Sequence, residues 1–299
     1  MRVSPGANTT DRHALRMAPH PCESPSPACN PSDGDGAPEL TVVIPAFDEE
    51  QRLGATLDRI ASYFAARAMR AEIIVVDDGS RDGTRHCVTR RFEKIPALRL
   101  VSFGENRGKG AAVATGVAQA TGQFILLYDA DSAAPIEELD RFLDGARRGA
   151  AILIGSRYAT GMRAERNRIR SLTGRIYAGF VSTWLLPGIR DSQCGFKLLR
   201  KAAAKALFPQ LRLSGFAFDA ELLFLARHQG YSVVELPIAW HDVPGSKLRL
   251  FRDTMLMLRD TWKIRRLHRD PFWSTPDPDR AECGASLPAV SHPHVHEPE

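Results

Sequence analysis

The chain has 299 residues, of which 43% are hydrophobic, and it carries a formal net charge of +5 at pH 7. This length and composition allow a sizeable buried core, which excludes a wholly disordered chain. No apolar run reaches the roughly 18 residues that a membrane-spanning helix needs, so we expect a protein without transmembrane segments.

The two ends of the chain differ from its middle. Residues 1–38 contain seven prolines and residues 270–299 contain six, with almost no periodic apolar pattern. Both ranges are predicted to be disordered tails. The N-terminus lacks the apolar segment of a secretory signal, and the five cysteines show no zinc or disulfide spacing, so we expect a cytoplasmic protein.

Between the tails, short apolar strands alternate with amphipathic helices. Strands are predicted over 40–46, 72–76, 98–103, 124–128 and 151–154, and helices over 49–68, from about 82, and over 109–120. This alternation predicts an α/β fold, with a mostly parallel sheet covered by helices on both faces, in a single domain over 39–247. In such sheets, ligands bind beyond the carboxyl ends of the strands.

Polar loops follow the first four predicted strands, over 45–50, 77–84, 106–110 and 129–131. The last of these is Asp129-Ala130-Asp131, which places two carboxylates at the end of a buried strand, where charge is costly unless a partner offsets it. A hard divalent cation is one such partner, and a solvated turn is the plainer interpretation. The four loops together favour a ligand site at this edge of the sheet.

Two nucleotide-binding motifs are excluded by their spacing. The segment 104–109 has three residues between its glycines, where a Walker A loop has four, and no Ser or Thr follows Lys109. No Gly-x-Gly-x-x-Gly follows the first strand, which argues against a dinucleotide-binding oxidoreductase. The sequence therefore indicates neither an ATPase nor a dehydrogenase.

The ordered set of loops resembles glycosyltransferase family 2, the inverting nucleotide-sugar transferases of the A fold. The matching segments are 43–50, 75–80, 106–110 and 129–131, with Asp48 where the family more often has Asn. The segments 191–197, 218–222 and 243–248 further resemble the dolichyl-phosphate β-glucosyltransferase branch of that family. The resemblance implies transfer of glucose from UDP-glucose to a polyprenyl phosphate, dolichyl or undecaprenyl.

The resemblance also implies a metal and a donor site. Mg²⁺ or Mn²⁺ would be bound by Asp129, Asp131 and Gln193, and would offset the negative charge that grows on the leaving diphosphate. Lys109 begins a helix whose N-terminal amides favour the same anion. The implied donor-binding residues are Pro45, Ala46, Asp48, Glu49, Asp78, Lys109, Asp129, Ala130, Asp131 and Gln193.

Arginines that follow the fifth strand favour a phosphate acceptor. Guanidinium forks suit a phosphate monoester, although a basic run is also typical of a solvated surface. The acceptor site is predicted at Arg157, Arg170 and Ser171, and the catalytic residues are Asp129, Asp131, Asp219 and Glu221. A phosphate is already ionised at neutral pH, so Asp219 and Glu221 would orient the sugar or the acceptor. For an alcohol acceptor, one of these two would be the general base.

A basic amphipathic helix is predicted over 248–269. Apolar residues that include Met255 and Trp262 recur at helical spacing among seven Lys and Arg residues. This pattern is typical of a helix that lies on an anionic membrane surface, and equally of one that packs on its own domain or on a second subunit. We expect peripheral contact with the cytoplasmic, inner face of a membrane and no nucleic-acid partner.

Two alternatives to this function stay open. A relative in the same family would use another nucleotide sugar, such as GDP-mannose, or a soluble acceptor. A protein of a different class would bind the nucleotide sugar without turnover, as a regulatory or scaffolding subunit. The intact Asp129-Ala130-Asp131, Lys109 and Arg157 argue against a site that has lost its activity.

Overall fold

Seven strands form one sheet in the computed structural model, which describes residues 37–158, 168–241, 243 and 250–268, with side chains for all but 168–173, 175, 250 and 251. The strands are β1 (Leu40–Ala46), β2 (Ala71–Asp77), β3 (Leu98–Ser102), β4 (Phe124–Leu127), β5 (Ile152–Ser156), β6 (Lys197–Arg200) and β7 (Val233–Pro237). Their order is β3-β2-β1-β4-β6-β5-β7, and β6 runs antiparallel to both β4 and β5 while the other pairs are parallel. The prediction of a mostly parallel sheet is confirmed, with one reversed strand.

Helices cover both faces of the sheet, as predicted. They are α1 (Leu53–Ala66), α2 (Thr84–Thr89), α3 (Lys109–Gln119), α4 (Leu139–Arg147), α5 (Arg168–Trp184), α6 (Lys201–Leu207), α7 (Phe218–His228) and α8 (Leu250–Leu267). Successive strand residues point to opposite faces, so Val42 and Ile44 join one core cluster with α1 and α4, while Val43 joins another with α3, α5 and α7.

The first helix begins four residues later than predicted. The amides of Arg52 and Leu53 donate to the carbonyl of Glu49, and the amide of Glu49 donates to the Thr84 hydroxyl at 2.7 Å. These bonds hold 49–52 as a turn beside the next loop of the sheet. The segment 49–52 therefore lies at the sheet edge where the ligand site is expected and is not part of α1.

Several predictions fall outside the described residues. The tails predicted over 1–38 and 270–299 lie there, apart from residues 37 and 38, and so do residues 244–248 of the last motif. Among the described helices, none combines the length and the apolar character that crossing a membrane requires.

Candidate active site

The polar loops that follow β1, β2 and β4 open onto one cleft with a volume of about 990 Å³. All of the predicted donor-binding residues except Asp48 line this cleft. Its other side is formed by Arg157 at the end of β5, by residues 191–193, and by parts of α5 and α8. The loops therefore meet at the carboxyl edge of the sheet, where ligands of α/β proteins bind.

Helix α1 fixes the loop that carries the two carboxylates. The hydroxyl of Thr56 donates to the carbonyl of Ala130 at 2.7 Å, and the hydroxyl of Ser132 donates to that of Thr56 at 2.9 Å. Ser132 has a φ of 53°, which is uncommon for a residue other than glycine. The backbone thus turns sharply directly after Asp131, and Thr56 holds the turn.

Asp129 and Asp131 differ in how their charge is balanced. Oδ1 of Asp129 lies 2.7 Å from Nζ of Lys109. Burial by itself raises the pKa of Asp129, but the Lys109 ammonium outweighs it and holds the pKa below its usual range. Burial and the neighbouring Asp129 carboxylate raise the pKa of Asp131, whose Oδ1 accepts the amide of Ala133 at 3.1 Å.

The pair suits a hard cation that also binds an outside ligand. Asp131 is a carboxylate with excess negative charge beside a second carboxylate, and its oxygens are the donors that Mg²⁺ and Mn²⁺ prefer. Within the described part of the chain, no group of three or more His, Cys, Asp or Glu side chains could hold a metal. Any ion here therefore takes further oxygens from a ligand such as a diphosphate.

The segment 191–197 joins three parts of the site. Asp191 is buried, and its carboxylate accepts hydrogen bonds from Nε, Nη2 and the backbone amide of Arg157 at 2.7, 2.8 and 2.9 Å. A methyl group at Gly195 would overlap the Asp129 carboxylate. Lys197 is fully buried, and its Nζ lies 2.6 Å from Oδ1 of Asp219.

Arg157 is held in a fixed orientation at the cleft. Its guanidinium forms a fork with Asp191 and lies 4.9 Å from the ring centre of Trp240. Burial opposes the charge of Arg157, but Asp191 outweighs this effect and raises its pKa. The cleft therefore presents a permanent, preoriented positive charge, which suits an anion.

Asp219 and Glu221 occupy different surroundings at the start of α7. Asp219 lines the cleft, but it is paired with Lys197; burial raises the pKa of Asp219, and Lys197 and Lys109 oppose that rise. Glu221 is fully buried and does not line the cleft. Its carboxylate accepts the amides of Arg212 and Leu213 at 2.9 Å and lies 2.6 Å from Nε2 of His268. The structure thus gives Glu221 a supporting place away from the cleft.

The loops at the opposite end are held by Asp48 and Asp78. Asp48 has a φ of 54°, and its carboxylate accepts the amide of Arg81 at 2.8 Å, so it joins two loops and does not face the cleft. Asp78 accepts the amides of Arg107 and Gly108 at 2.6 and 3.0 Å. Gly108, with a φ of 99°, is required because a side chain there would be strained and would press on the carbonyl of Ser214.

The remaining predicted residues are Gln193, Arg170 and Ser171, and Cys194 lies beside Gln193 in the chain. Gln193 lines the cleft, and its Nε2 is buried with no hydrogen-bond partner among the described residues. That atom is a donor and suits a phosphate or sugar oxygen, and metal binding through the side-chain oxygen of Gln193 stays a prediction. Arg170 and Ser171 belong to α5, but their side chains lie outside the described residues. Burial raises the pKa of Cys194 to about 12, so this residue is a packed thiol.

Sequence reasoning missed Asp191, Trp240 and the part of α8 that lines the cleft. Asp191 lies in a segment that carries the family resemblance, but its partner Arg157 is 34 positions away. Trp240 follows β7, a strand that was not predicted. Arg252 and Met257 of α8 reach the cleft only through tertiary packing, which no local sequence pattern indicates.

Comparison with known proteins gives a family and a set of relatives. A family model described as "Glycosyl transferase family 2" matches residues 41–208. The dolichyl-phosphate beta-glucosyltransferase of Dictyostelium discoideum is 34% identical over 240 residues, which cover 76% of this chain and 73% of the relative. The protein of that name from Homo sapiens is 34% identical, over 79% of this chain and 77% of its own.

Solved structures share the fold at lower identity. Glucosyl-3-phosphoglycerate synthase from Mycobacterium tuberculosis, in a complex with Mn²⁺ and UDP-glucose, has a TM-score of 0.59 and 18% identity, over 78% of this chain and 80% of that one. Mannosyl-3-phosphoglycerate synthase from Rubrobacter xylanophilus has a TM-score of 0.56 at 18% identity, over 79% of each chain. These likenesses confirm the predicted fold.

Proposed function

The chain belongs to glycosyltransferase family 2, and from that premise we propose that it transfers glucose from UDP-glucose to a polyprenyl phosphate, with inversion at the anomeric carbon. One observation carries the proposal. A single cleft holds the half-buried carboxylate pair of Asp129 and Asp131 at one place and the preoriented Arg157 at another. The 34% identity to dolichyl-phosphate beta-glucosyltransferases supports glucose and a lipid phosphate as the two substrates.

The donor end would receive the nucleoside diphosphate. Asp131 and Asp129 would hold Mg²⁺ or Mn²⁺, which when bound offsets the charge on the departing diphosphate. Lys109 neutralises Asp129 and adds positive charge at the first turn of α3. Pro45, Ala46 and the Asp78 loop line the part of the cleft left for the nucleoside.

The acceptor end would receive a phosphate monoester. A phosphate oxygen attacks the anomeric carbon while the bond to the diphosphate breaks and its electron pair passes to the β-phosphate oxygen. A single displacement of this kind inverts the anomeric configuration. The nucleophile is already ionised, so the step needs no general base, and Arg157 orients it. Asp219 is paired with Lys197, so its role is to orient the sugar or the acceptor and not to transfer a proton.

We further propose that the outer face of α8 rests on the cytoplasmic, inner face of a membrane. The inner face of α8 packs on α5, where Tyr177 and Thr261 share a hydrogen bond of 2.7 Å. Met255 and Trp262 are about half exposed on the other face. Exposed basic residues surround them: Arg259, Lys263 and Arg266. Trp among basic residues suits the headgroup region of an anionic leaflet.

A two-phase transfer assay tests the activity. The protein is incubated with labelled UDP-glucose, Mn²⁺ and undecaprenyl or dolichyl phosphate, and the label is then extracted into organic solvent. We expect lipid-linked label, and a rate about 10²–10³-fold lower for Asp131→Asn, because removal of one contact that stabilises charge in the transition state costs about this much. Label that stays in the water phase as a new sugar phosphate would reject the lipid acceptor in favour of a soluble one. Wild-type protein that binds UDP-glucose without turnover would instead indicate a binding subunit.

A further inference from the structure

Ser192 and Gln193 lie between the two reacting ends of the cleft. At one end of their loop, Asp191 binds Arg157 through two side-chain hydrogen bonds. At the other end, Gly195 lies against the Asp129 carboxylate. Four residue steps span at most about 14 Å, so the loop bridges a short distance. Ser192 and Gln193 therefore line the cleft between the residues that hold Arg157 and the residue that abuts Asp129.

Both side chains present buried polar atoms that no described residue satisfies. Oγ of Ser192 and Nε2 of Gln193 have no hydrogen-bond partner among the described residues, although both residues line the cleft. Native proteins pair the large majority of buried polar groups, because an unpaired one loses its bonds to water without replacement. Two such atoms on adjacent residues therefore indicate a polar ligand at this wall.

We propose that Ser192 and Gln193 bind the hydroxyl groups of the transferred hexose, and that Gln193 selects which hexose is accepted. This inference rests on the proposed function and names the sugar subsite within it. A sugar hydroxyl both donates and accepts, so it can pair with the Ser192 hydroxyl and with the Gln193 amide. Epimeric hexoses differ in the direction of one hydroxyl, and a fixed amide donor discriminates between them because the wrong epimer leaves it unpaired.

The chain offers a matched control at Ser156. Its Oγ is also buried without a partner among the described residues, but Ser156 does not line the cleft. Ser156→Ala therefore makes the same chemical change at the same burial without touching the proposed subsite.

Binding of UDP-glucose is compared with binding of UDP, by calorimetry with Mn²⁺ present and no acceptor. For Ser192→Ala and Gln193→Ala we expect the affinity for UDP-glucose to fall about tenfold relative to that for UDP, since each loses one or more sugar hydrogen bonds. Ser156→Ala should leave that ratio within about twofold of the wild type, since its hydroxyl lies outside the cleft. Gln193→Ala should also narrow the preference for UDP-glucose over UDP-galactose to within about threefold.

Thermal unfolding separates this role from a structural one. Truncation of an unsatisfied buried polar group removes a cost, so neither alanine variant should have a lower Tm than the wild type. If Gln193→Ala does not fold, Gln193→Met keeps the length of the side chain and takes its place in the same measurements.

Three outcomes would overturn the inference in distinguishable ways. If Gln193→Ala lost affinity equally for UDP and UDP-glucose, Gln193 would bind the diphosphate or the metal instead of the sugar, and the proposed function would still stand. Unchanged affinities in both variants would remove the sugar subsite from this loop. A wild-type protein that binds neither UDP nor UDP-glucose would reject the proposed donor and, with it, this subsite.

Discussion

At Gly195, a hydrogen atom is the largest side chain that the Asp129 carboxylate allows. A methyl group there would meet both oxygens and the carboxyl carbon of Asp129. The backbone of Gly195 is not in the left-handed region, so the need for glycine comes from close approach and not from φ. The glycine of the 191–197 segment thus fixes the position of the lysine-paired carboxylate.

The variant Gly195→Ala should lose activity more than stability. The methyl group must displace the Asp129 carboxylate, and a shift of about 1 Å at a reacting centre costs about 100-fold in rate. Overpacking of this kind costs roughly 1–3 kcal/mol of the free energy of unfolding. Initial rates and urea denaturation measure the two effects. Gly104→Ala, where an added methyl group meets no atom within 4 Å, is the control. Full activity in Gly195→Ala would contradict the role given to Asp129.

The buried Lys197–Asp219 pair leads to a pH-dependent prediction. Lys197→Met removes the cation and leaves Asp219 buried without its partner, which should cost about 3–5 kcal/mol at neutral pH. Burial raises the pKa of Asp219, and loss of Lys197 removes a charge that opposes the rise. A carboxyl with a raised folded-state pKa stabilises the fold at low pH and loses that effect as the pH rises through this pKa.

The stability deficit of Lys197→Met should therefore shrink as the pH falls. Urea denaturation of the variant and the wild type at a series of acidic to neutral pH values measures it. The double variant Lys197→Met/Asp219→Asn should recover part of the loss at neutral pH, because no buried charge is left unpaired. Lys94→Met, at an exposed lysine, should change little. A deficit that is constant with pH would show that Asp219 is not the group responsible.

The positions of site residues could be predicted where each residue directly follows a strand or begins a helix. Asp129, Asp131 and Arg157 each follow a strand within four residues, and Lys109 begins a helix, so strand ends alone bring them to one edge. Glu221 could not be placed in this way. Its partners are two amides of the 211–214 loop and His268 beyond the end of α8, and no local pattern indicates that these meet.

Among the elements, α8 combines two roles on two faces. Its inner face reaches the cleft through Arg252 and Met257, and Ile264 is fully buried. Its outer face exposes Met255 and Trp262 among basic residues. The sequence predicted an amphipathic helix that lies either on a membrane surface or on protein. The structure shows packing on protein, since α8 contacts α5 through Tyr177 and Thr261.

The outer face of α8 should bind anionic vesicles. Each surface arginine contributes about 1 kcal/mol near an anionic leaflet, so Arg259→Gln/Arg266→Gln should weaken binding by about 30-fold. Co-sedimentation with phosphatidylcholine vesicles, with and without phosphatidylglycerol, measures it. Arg90→Gln/Arg148→Gln makes the same change of charge at exposed sites on other elements and is the control. Equal loss in both double variants would indicate a general effect of charge and contradict an α8 surface.

Strands β1 to β5 were predicted from the sequence, whereas β6 and β7 were not. The five predicted strands match β1 to β5 with small shifts of their ends. β6 has only four residues and begins and ends with a basic side chain, so it shows no strand pattern. Its position between β4 and β5 is determined by long-range pairing with both strands, which a local sequence pattern does not show.

For the whole molecule, Mn²⁺ and UDP should stabilise the fold together. In the proposed site Asp129 and Asp131 would supply two carboxylates and the diphosphate further oxygen ligands, so each ligand should bind better in the presence of the other. With both at about 100 times their Kd, the Tm should rise by roughly 10–20 °C. Differential scanning fluorimetry with each ligand alone and with both measures this. Asp131→Asn should lose the joint effect, and a shift with UDP that EDTA does not alter would argue against the metal.

The position of β6 in the sheet has a consequence for the order of assembly during synthesis. β3, β2, β1 and β4 are neighbours, so this half of the sheet, with the Asp129 loop, can pair once residue 131 has left the ribosome. β5 has no neighbour in that half and must wait about 40 residues for β6. Arg157 and Asp191 therefore reach their places only after the carboxylate loop, and a nascent chain stopped before β6 would carry the half of the sheet with Asp129 and Asp131 without the half that positions Arg157.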